Sequence, residues 1–495
     1  MLVFEINQDL MSVLSRLAPV CATPDYRAYL VGGFVRDWLV GRDTADLDIA
    51  VSGDSLAIAQ EAAELVDGRY VLLDEENRVG RVVVAGENEP WHIDITSYGG
   101  DIEHDLLRRD FTVNAMGLDL AAFVRGEISL LDPAGGEEDL KKGLLKQVSD
   151  RIFDSDPSRL MRAVRLSREL NLEIEPITED TIRLNSRLVE KVPSEKVREE
   201  LLRILSLPYA GNSVRCLDDL ELLCRIMPEI EAMKGVKQPK EHYWDVFDHS
   251  IESIAALEYI LRESDWVYGK GNLLEAVPWR EEIQKHFEEE IAGGSSRRTL
   301  LKLGLLLHDI AKPEDRTVEE NGRIRFLGHT KDGAVTAAAM LGRLRFSTGE
   351  IRYVENLIYH HLHPAQMSHE GLPTHRAIYR FFRDTEGSGI DVIYLALADY
   401  LAVAGPRVDI QEWHMHTEQV RYIIDVHNKQ ESEILPVRLL TGDDLIQEFR
   451  MHPGKDIGRL LRMVREAQAA GEISTREDAL QYVRNAIDRG ACCAA

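Results

Sequence analysis

The spacing of apolar residues changes along the chain, and the change divides it. Over residues 28–100, short β-branched runs (AYLV, LDIAV, RVVVA, HIDIT) accompany one stretch of helical spacing near 55–66, which predicts a mixed α/β head. From about residue 150, helical spacing dominates nearly to the end. Pro and Gly interrupt it at LSLPYAGNS near 208, KGVKQPKEH near 237 and SEILPVR near 435. Four segments are expected: 1–150, 151–237, 238–410 and 411–495. The stretch 262–298, from ESDWVYGKGN to GGSSRR, reads as a loop-rich insertion, and neither a fixed-period repeat nor a low-complexity tract is present.

Length supports this division, since 495 residues exceed what one core usually holds, and 44% apolar content is ordinary for globular domains. The start, MLVFEINQDLMSVLSRLAP, carries acids and no apolar run behind a basic head. No uninterrupted apolar stretch nears the roughly 20 residues of a membrane span, so a cytoplasmic location is expected, with no membrane partner. Cys21, Cys216, Cys224, Cys492 and Cys493 form no CxxC pair, and the last two are expected in a frayed tail. A net charge of −26 argues against indiscriminate nucleic-acid binding. Any RNA contact must be local, and two basic islands, 151–168 and 450–465, are the places for it.

The run AYLVGGFVRDWLVGRDTADLDIAV reads as strand, Gly-Gly turn, short helix and second strand. On that second strand Asp46 and Asp48 share a face, about 7 Å apart along the backbone, which suits carboxylates sharing Mg²⁺. Gly32 and Gly33 let backbone amides approach a triphosphate, with Arg36 one turn on. Asp94 in WHIDIT, on a later strand, is a candidate third carboxylate, either for the metal cluster or for accepting a proton from an attacking hydroxyl. His92 is read as structural.

Four ordered segments carry a family likeness: GGFVRD with DLD, then RRDFTVNAMGLDL, then DPAGGEEDLKKGLLKQV, then DPSRLMRAVRL. They resemble the class II tRNA CCA-adding enzyme and poly(A) polymerase family over about residues 28–235. The resemblance implies a polymerase-β-like α/β nucleotidyltransferase head followed by mostly α-helical neck, HD and tail domains. It also implies Gly33, Arg36, Arg109 and Asp110 at the nucleotide, beside the metal ligands Asp46 and Asp48. In the neck, Asp156, Arg159, Arg162 and Arg165 recur every three residues and are expected on one helix. A carboxylate accepts from the cytosine N4 amine and a guanidinium donates to its ring acceptors, so Asp156 and Arg159 match cytosine. The family commonly has Glu-Asp where this chain has Ser155-Asp156.

Only TSYGGDIEHDLLR separates the Asp94 strand from Arg109, whereas relatives that add the terminal A resemble one another in a longer loop there. The resemblance therefore implies CTP as the main substrate, with ATP secondary, and a separate A-adding enzyme as partner at the tRNA 3′ end. A poly(A) polymerase is the alternative, and the Gly-Arg-Arg-Phe-like stretch of those enzymes is not evident in RYVLLDEENRVGRVVV.

Residues 240–400 hold His249, the His308-Asp309 pair in LLLHDIAKP, His329, His360-His361 and Asp399. Converging helices can bring such a set onto a buried divalent transition metal or Mg²⁺, and a buried carboxylate beside a histidine needs such a partner. The pattern resembles the HD phosphohydrolase domain. His249, His308, Asp309 and Asp399 are the expected ligands, with His329 and either His360 or His361 for a second ion and Lys312 for a phosphate. The tail places a Gly-Lys turn before a helix with Arg459, Arg462 and Arg465, and looks like the family's tRNA-binding tail. Competing functions are a small-molecule nucleotidyltransferase and an HD-centred hydrolase whose head senses ligand.

Overall fold

The computed structural model describes residues 7–23, 25–86, 90–292, 294–367, 371–434 and 437–489. Cys492 and Cys493, and part of the break expected near 435, lie outside them. The chain forms two compact units, one running through Pro193 and taking in Leu217–Ile226, the other made of Ser194–Cys216 and the chain from Met227 onward.

The first unit is built on a seven-stranded sheet. Its elements are α1 (Gln8–Cys21), β1 (Ala28–Val31), α2 (Gly33–Val40), β2 (Asp46–Val51), α3 (Ser55–Leu65), β3 (Arg69–Asp74), β4 (Val79–Val84), β5 (Trp91–Ser97), α4 (Ile102–Leu106), β6 (Gly117–Asp119) and β7 (Leu130–Leu131). Strand order is β3-β4-β5-β2-β1-β6-β7; β2 and β5 run parallel, and the remaining neighbours are antiparallel. The period of two explains the two faces of β2. Leu47, Ile49 and Val51 enter the main core with Leu14 and Leu17 of α1, while Asp46, Asp48 and Ala50 turn the other way. Local chemistry sets the helix ends: Asp54 caps α3 by accepting from Leu56 and Ala57 amides, and left-handed Gly41 closes α2. Strand β3 was not expected from sequence, because RYVLLD is half-exposed and shows no clean alternation.

Behind the sheet domain, the neck departs from expectation. Asp156 is not on the helix of its arginines. A short helix, Ile152–Ser155, ends at Asp156, which is extended (φ −147°, ψ 96°), and the arginine helix begins at Arg159. Pro157 is the cause, since the residue before a proline is pushed out of the helical region.

The second unit is helical. Val246–Ile260 and Gly389–Ala404 pack together almost wholly buried, with Arg297–Leu307 against them. The expected loop-rich insertion contains helices Leu273–Ala276 and Glu281–Glu288 and a small hairpin, so it is more ordered than its composition suggested. Among the described residues one helix, Gly389–Arg407, reaches by length and composition what a membrane span needs; 67% of its most apolar window is buried, and it carries Asp391 and Asp399. At the end of the chain, capping boxes at Thr441 and Thr475 start two of the three helices around Leu445, Leu460 and Val483.

Candidate active site and metal centre

In the head, strand register assembles the carboxylates. Asp48 on β2 lies directly opposite Asp94 on parallel β5, and Asp46 lies opposite His92. Burial raises the Asp48 pKa; Arg109 opposes this, and the like charges of Asp94 and Asp46 reinforce it. A carboxylate cluster with this repulsion is one that a divalent cation relieves. Asp94 is already engaged, because Arg81 on β4 grips it with two charged hydrogen bonds, Nε–Oδ1 2.7 Å and Nη2–Oδ2 2.8 Å.

The turn before α2 is set by Gly32 more than by Gly33. Gly32 has φ +71°, and a Cβ there would lie 2.6 Å from Asp48 Oδ2 and 3.0 Å from Arg109 Nη1. Backbone, the Asp48 carboxylate and Arg109 therefore meet where only glycine fits. A Cβ on Gly33 would meet nothing nearer than Arg36, at 3.4 Å.

Arg36 itself is buried. Its guanidinium donates to both Asp37 oxygens at 2.9 Å and to Asn114 Oδ1 at 2.6 Å. Asn114 in turn donates to Asp110 at 3.2 Å, and Asp110 meets Arg162 Nη1 at 3.3 Å. An unbroken polar chain, Asp37–Arg36–Asn114–Asp110–Arg162, thus links the Gly-Gly turn to the neck. Asp37, Asn114 and Arg81 were missed in the sequence: each works through a partner brought close by folding, or, for Asp37, beside a residue that already looked sufficient.

Arg159 donates to Ile152 O and Ser155 Oγ at 3.3 Å and to Arg108 O at 3.5 Å, so its guanidinium is fixed; Asp156 Oδ2 is 3.9 Å from its Nε. Burial works against the charge on Asp156, but the hydroxyl and amide of Ser158 and the nearby Arg159 and Arg162 outweigh it and hold the pKa below the usual range. Arg165 pairs with Glu169 at 2.6 Å.

In the helical unit, five elements converge on Asp309. His308 Nε2 is 3.1 Å and His249 Nε2 3.7 Å from Asp309 Oδ2; His329 Nε2 is 3.6 Å and His361 Nε2 4.0 Å from Oδ1. Two candidate metal-ligand triplets result, His249/His308/Asp309 and Asp309/His329/His361, both wholly buried. Asp399 Oδ1 stands 2.9 Å from His249 Nε2, and Lys312 Nζ 2.5 Å from Asp309 Oδ2. His360 turns away and stacks on His363, so His361 is the member of the sequence pair that joins the centre.

One device aims three of the four rings. His308, His329 and His361 each place Nδ1 2.7 Å from the carbonyl three residues earlier, of Leu305, Phe326 and Ile358, which leaves Nε2 turned inward as an acceptor. Nε2 of His329, Nδ1 of His249 and Oδ1 of Asp309 make no hydrogen bond among the described residues. Buried donors of this kind fit a divalent cation with nitrogen and oxygen ligands. Burial lowers the pKa of His249 and takes His361 to about 3, keeping both neutral. Burial opposes charge on His308 and Asp309 as well, but in the absence of an ion their attraction outweighs it, raising the pKa of His308 and, with Lys312, lowering that of Asp309; a cation at Nε2 would take the place of the imidazole proton.

Comparison with known proteins agrees with this division. Residues 28–146 match the family described as Poly A polymerase head domain, 171–234 the probable RNA and SrmB-binding site of polymerase A, and 246–404 the HD domain. The A-adding tRNA nucleotidyltransferase of Deinococcus radiodurans is 31% identical over 463 residues, which cover 92% of this chain and 95% of that one. The chain belongs to the tRNA nucleotidyltransferase family. It is a nucleotidyltransferase enzyme, of a family whose head and HD domains use divalent metals. The CC-adding tRNA nucleotidyltransferase of Thermus thermophilus is also 31% identical, over 464 residues, covering 92% of this chain and 93% of its own. The Thermotoga maritima CCA-adding enzyme complexed with tRNA_CCA shares the fold at 19% identity, with a TM-score of 0.62 over 97% of this chain and 96% of that one. A polymerase-β-like head with a mostly helical remainder is therefore the architecture of the family and of this chain.

Beyond the expected ligands, the helix leading to His308 is pinned by Lys302, fully buried, which meets Glu258 at 2.8 Å and Glu263 at 2.7 Å. Nothing in the sequence distinguished Lys302 from a surface lysine.

Proposed function

We propose that the enzyme adds CMP to the 3′ end of tRNA from CTP, without a nucleic-acid template, and stops at CC. The observation that carries the reading is the polar chain from the Gly-Gly turn, which abuts Asp48, through Asp110 to Arg162, on the helix that begins at Arg159. In this reading residues 1–150 are the head, 151–237 the neck, 238–410 the HD domain and 411–495 the tRNA-binding tail, in a cytoplasmic enzyme.

Asp46 and Asp48 would hold Mg²⁺, and the ion when bound would supply the charge that acidifies a 3′-hydroxyl and neutralises pyrophosphate. The protein's own groups do the rest. Gly32 and Gly33 admit the triphosphate to the backbone, Arg109 adds positive charge beside Asp48, and Arg36 and Asp110 position the turn from behind. Asp94 receives the hydroxyl proton or completes the cation's ligands, with Arg81 fixing its orientation. Asp156 accepts from the cytosine amine and Arg159 donates to its ring; Arg165 braces the helix through Glu169. Uracil reverses two of these positions and leaves a charge unpaired.

Stopping at CC is supported by the short, anchored connection between β5 and Arg109, where Tyr98, Ile102 and Leu106 are all buried. The A-adding relative is as similar as the CC-adding one, so the product decides. Incubating the enzyme with tRNA lacking its CCA end, with CTP and ATP separately and together, is expected to give tRNA ending in CC. Product ending in CCA, or ATP incorporated alone, would overturn the CC assignment. His249, His308, Asp309 and Asp399 would hold a transition metal or Mg²⁺, which would supply a Lewis acid for hydrolysis of a phosphoester, and His329 and His361 would serve a second ion.

A further inference from the structure

A cavity of about 660 Å³ in the helical unit belongs to neither centre. Its walls come from the His375–Asp384, Ile410–Lys429 and Lys455–Ala469 helices, the start of Gly389–Ala404 and the end of Glu281–Glu288. The volume is that of a ligand site, and its chemistry is unevenly distributed.

One wall is flat and unsaturated. Phe382 and His427 stack face to face, 3.5 Å between centroids and 6° between planes, with Tyr379 beside them. Burial lowers the His427 pKa to about 4, so this ring is neutral, and with one face of each ring covered by the other the pair offers an outer face for stacking. Gly389 makes the platform: a Cβ there would lie 2.4 Å from Phe382 Cδ1.

The other wall is cationic. Arg465 is exposed and makes no ion pair among the described residues. Arg383 is shared with Asp384 at 2.8 Å and Glu466 at 3.4 Å. His286 is turned by buried Asp391, whose Oδ2 lies 3.0 Å from His286 Nε2, and Asp391 is itself held by Arg297 at 2.9 Å and Tyr353 at 2.7 Å. The Asp391 carboxylate takes the ring N–H at Nε2 and leaves Nδ1 as an acceptor, suited to a ligand hydroxyl or amine rather than to the phosphate. The first-turn residues Gly389 and Ile390 of a 16-residue helix complete this wall, and Ser388 provides no side-chain cap for its amides. Glu431 is the lining carboxylate and suits an amine or a sugar hydroxyl.

We infer that this cavity is a second nucleotide site, taking the base of a nucleoside monophosphate against the outer face of the Phe382–His427 stack beside Tyr379 and its phosphate at Arg465 and Arg383. The same chemistry is offered by a free nucleotide and by one nucleotide of an RNA strand. Stacking on an aromatic platform is sequence-tolerant, so base identity matters less than the joint presence of base and phosphate.

The test uses the full chain in EDTA and equilibrium dialysis with radiolabelled AMP, adenosine, inorganic phosphate and pentaadenylate. AMP is expected to bind more tightly than adenosine or phosphate, Arg465→Gln to weaken it at least tenfold, and Arg159→Ala in the neck to leave it within twofold. AMP binding assigns the site to free nucleotides; pentaadenylate binding without AMP binding, lost in Arg465→Gln, assigns it to an RNA strand. Phosphate binding as tightly as AMP, or Arg465→Gln leaving both nucleotide probes unchanged, overturns the site. Photo-crosslinking wild-type protein with 8-azido-AMP guards against a misfolded variant: labelling within 379–390 or 427–431 supports the proposal, and labelling confined to 28–165 refutes it.

Discussion

In the proposed reading, the two centres of this chain solve the same problem, holding divalent charge, with opposite materials. In the head, Asp46 and Asp48 sit on a strand face away from the main core, one exposed and one partly buried, and their geometry comes from strand register. In the helical unit every triplet ligand is buried, and three imidazoles are aimed by backbone carbonyls. Carboxylates that solvent can reach suit a hard, exchangeable ion that arrives with its substrate; buried imidazoles suit a resident ion with nitrogen affinity. The contrast teaches that exposure, as much as ligand identity, separates a substrate-borne cation from a fixed one.

The contrast can be broken most sharply at its carboxylates. Asp48→Ala is expected to lower CMP incorporation into tRNA by about 10³-fold or more, near 4 kcal/mol of transition-state stabilisation. Metal analysis of the same variant should show the HD ions unchanged; their loss would mean that the centres are not independent. Asp309→Ala is the reciprocal case, expected to abolish bound transition metal and phosphoester hydrolysis while leaving CMP incorporation within twofold. Hydrolysis surviving in Asp309→Ala would refute the HD assignment.

Smaller effects sharpen the picture. Gly32→Ala should cost roughly 10- to 100-fold in incorporation, because its Cβ displaces the Asp48 carboxylate and positive φ is strained for alanine. Gly33→Ala, read in the same assay, should cost far less. Smallest is a pH effect. His427 has a folded pKa of about 4, below its unfolded value near 6.5, so the unfolded chain binds more protons between these values. Stability from its burial is complete above pH 6.5 and is lost as pH falls toward 4. Urea midpoints at pH 7.5 and 5 should therefore drop less in His427→Phe than in the wild type; equal drops would show that this ring does not titrate as described.

How much of this was legible in the sequence depended on whether the chemistry was local. The Gly-Gly turn and the DLD strand could be read because a period of two and a positive-φ turn are properties of a few consecutive residues. His308-Asp309 stood out because a polar pair set into the apolar run of LLLHDIAKP is costly to bury unless something binds it. Choosing His361 over His360 needed the end of the Thr348–His360 helix, where one ring turns back to Ile358 O and the other does not. Arg81 was invisible because only antiparallel pairing of β4 with β5 sets it opposite Asp94. The single-helix expectation for Asp156 failed on a local rule that was available, the effect of Pro157 on its predecessor.

Asp309 stands in both triplets of the helical unit, one oxygen toward each. A shared anion makes the two halves thermodynamically non-independent. Whatever positive charge settles on one side, ion or proton, changes the field felt on the other, and by reciprocity the second arrival changes the retention of the first by the same factor. Titrating the centre with metal would thus trace a coupled isotherm, its shape set by the sharing of one carboxylate.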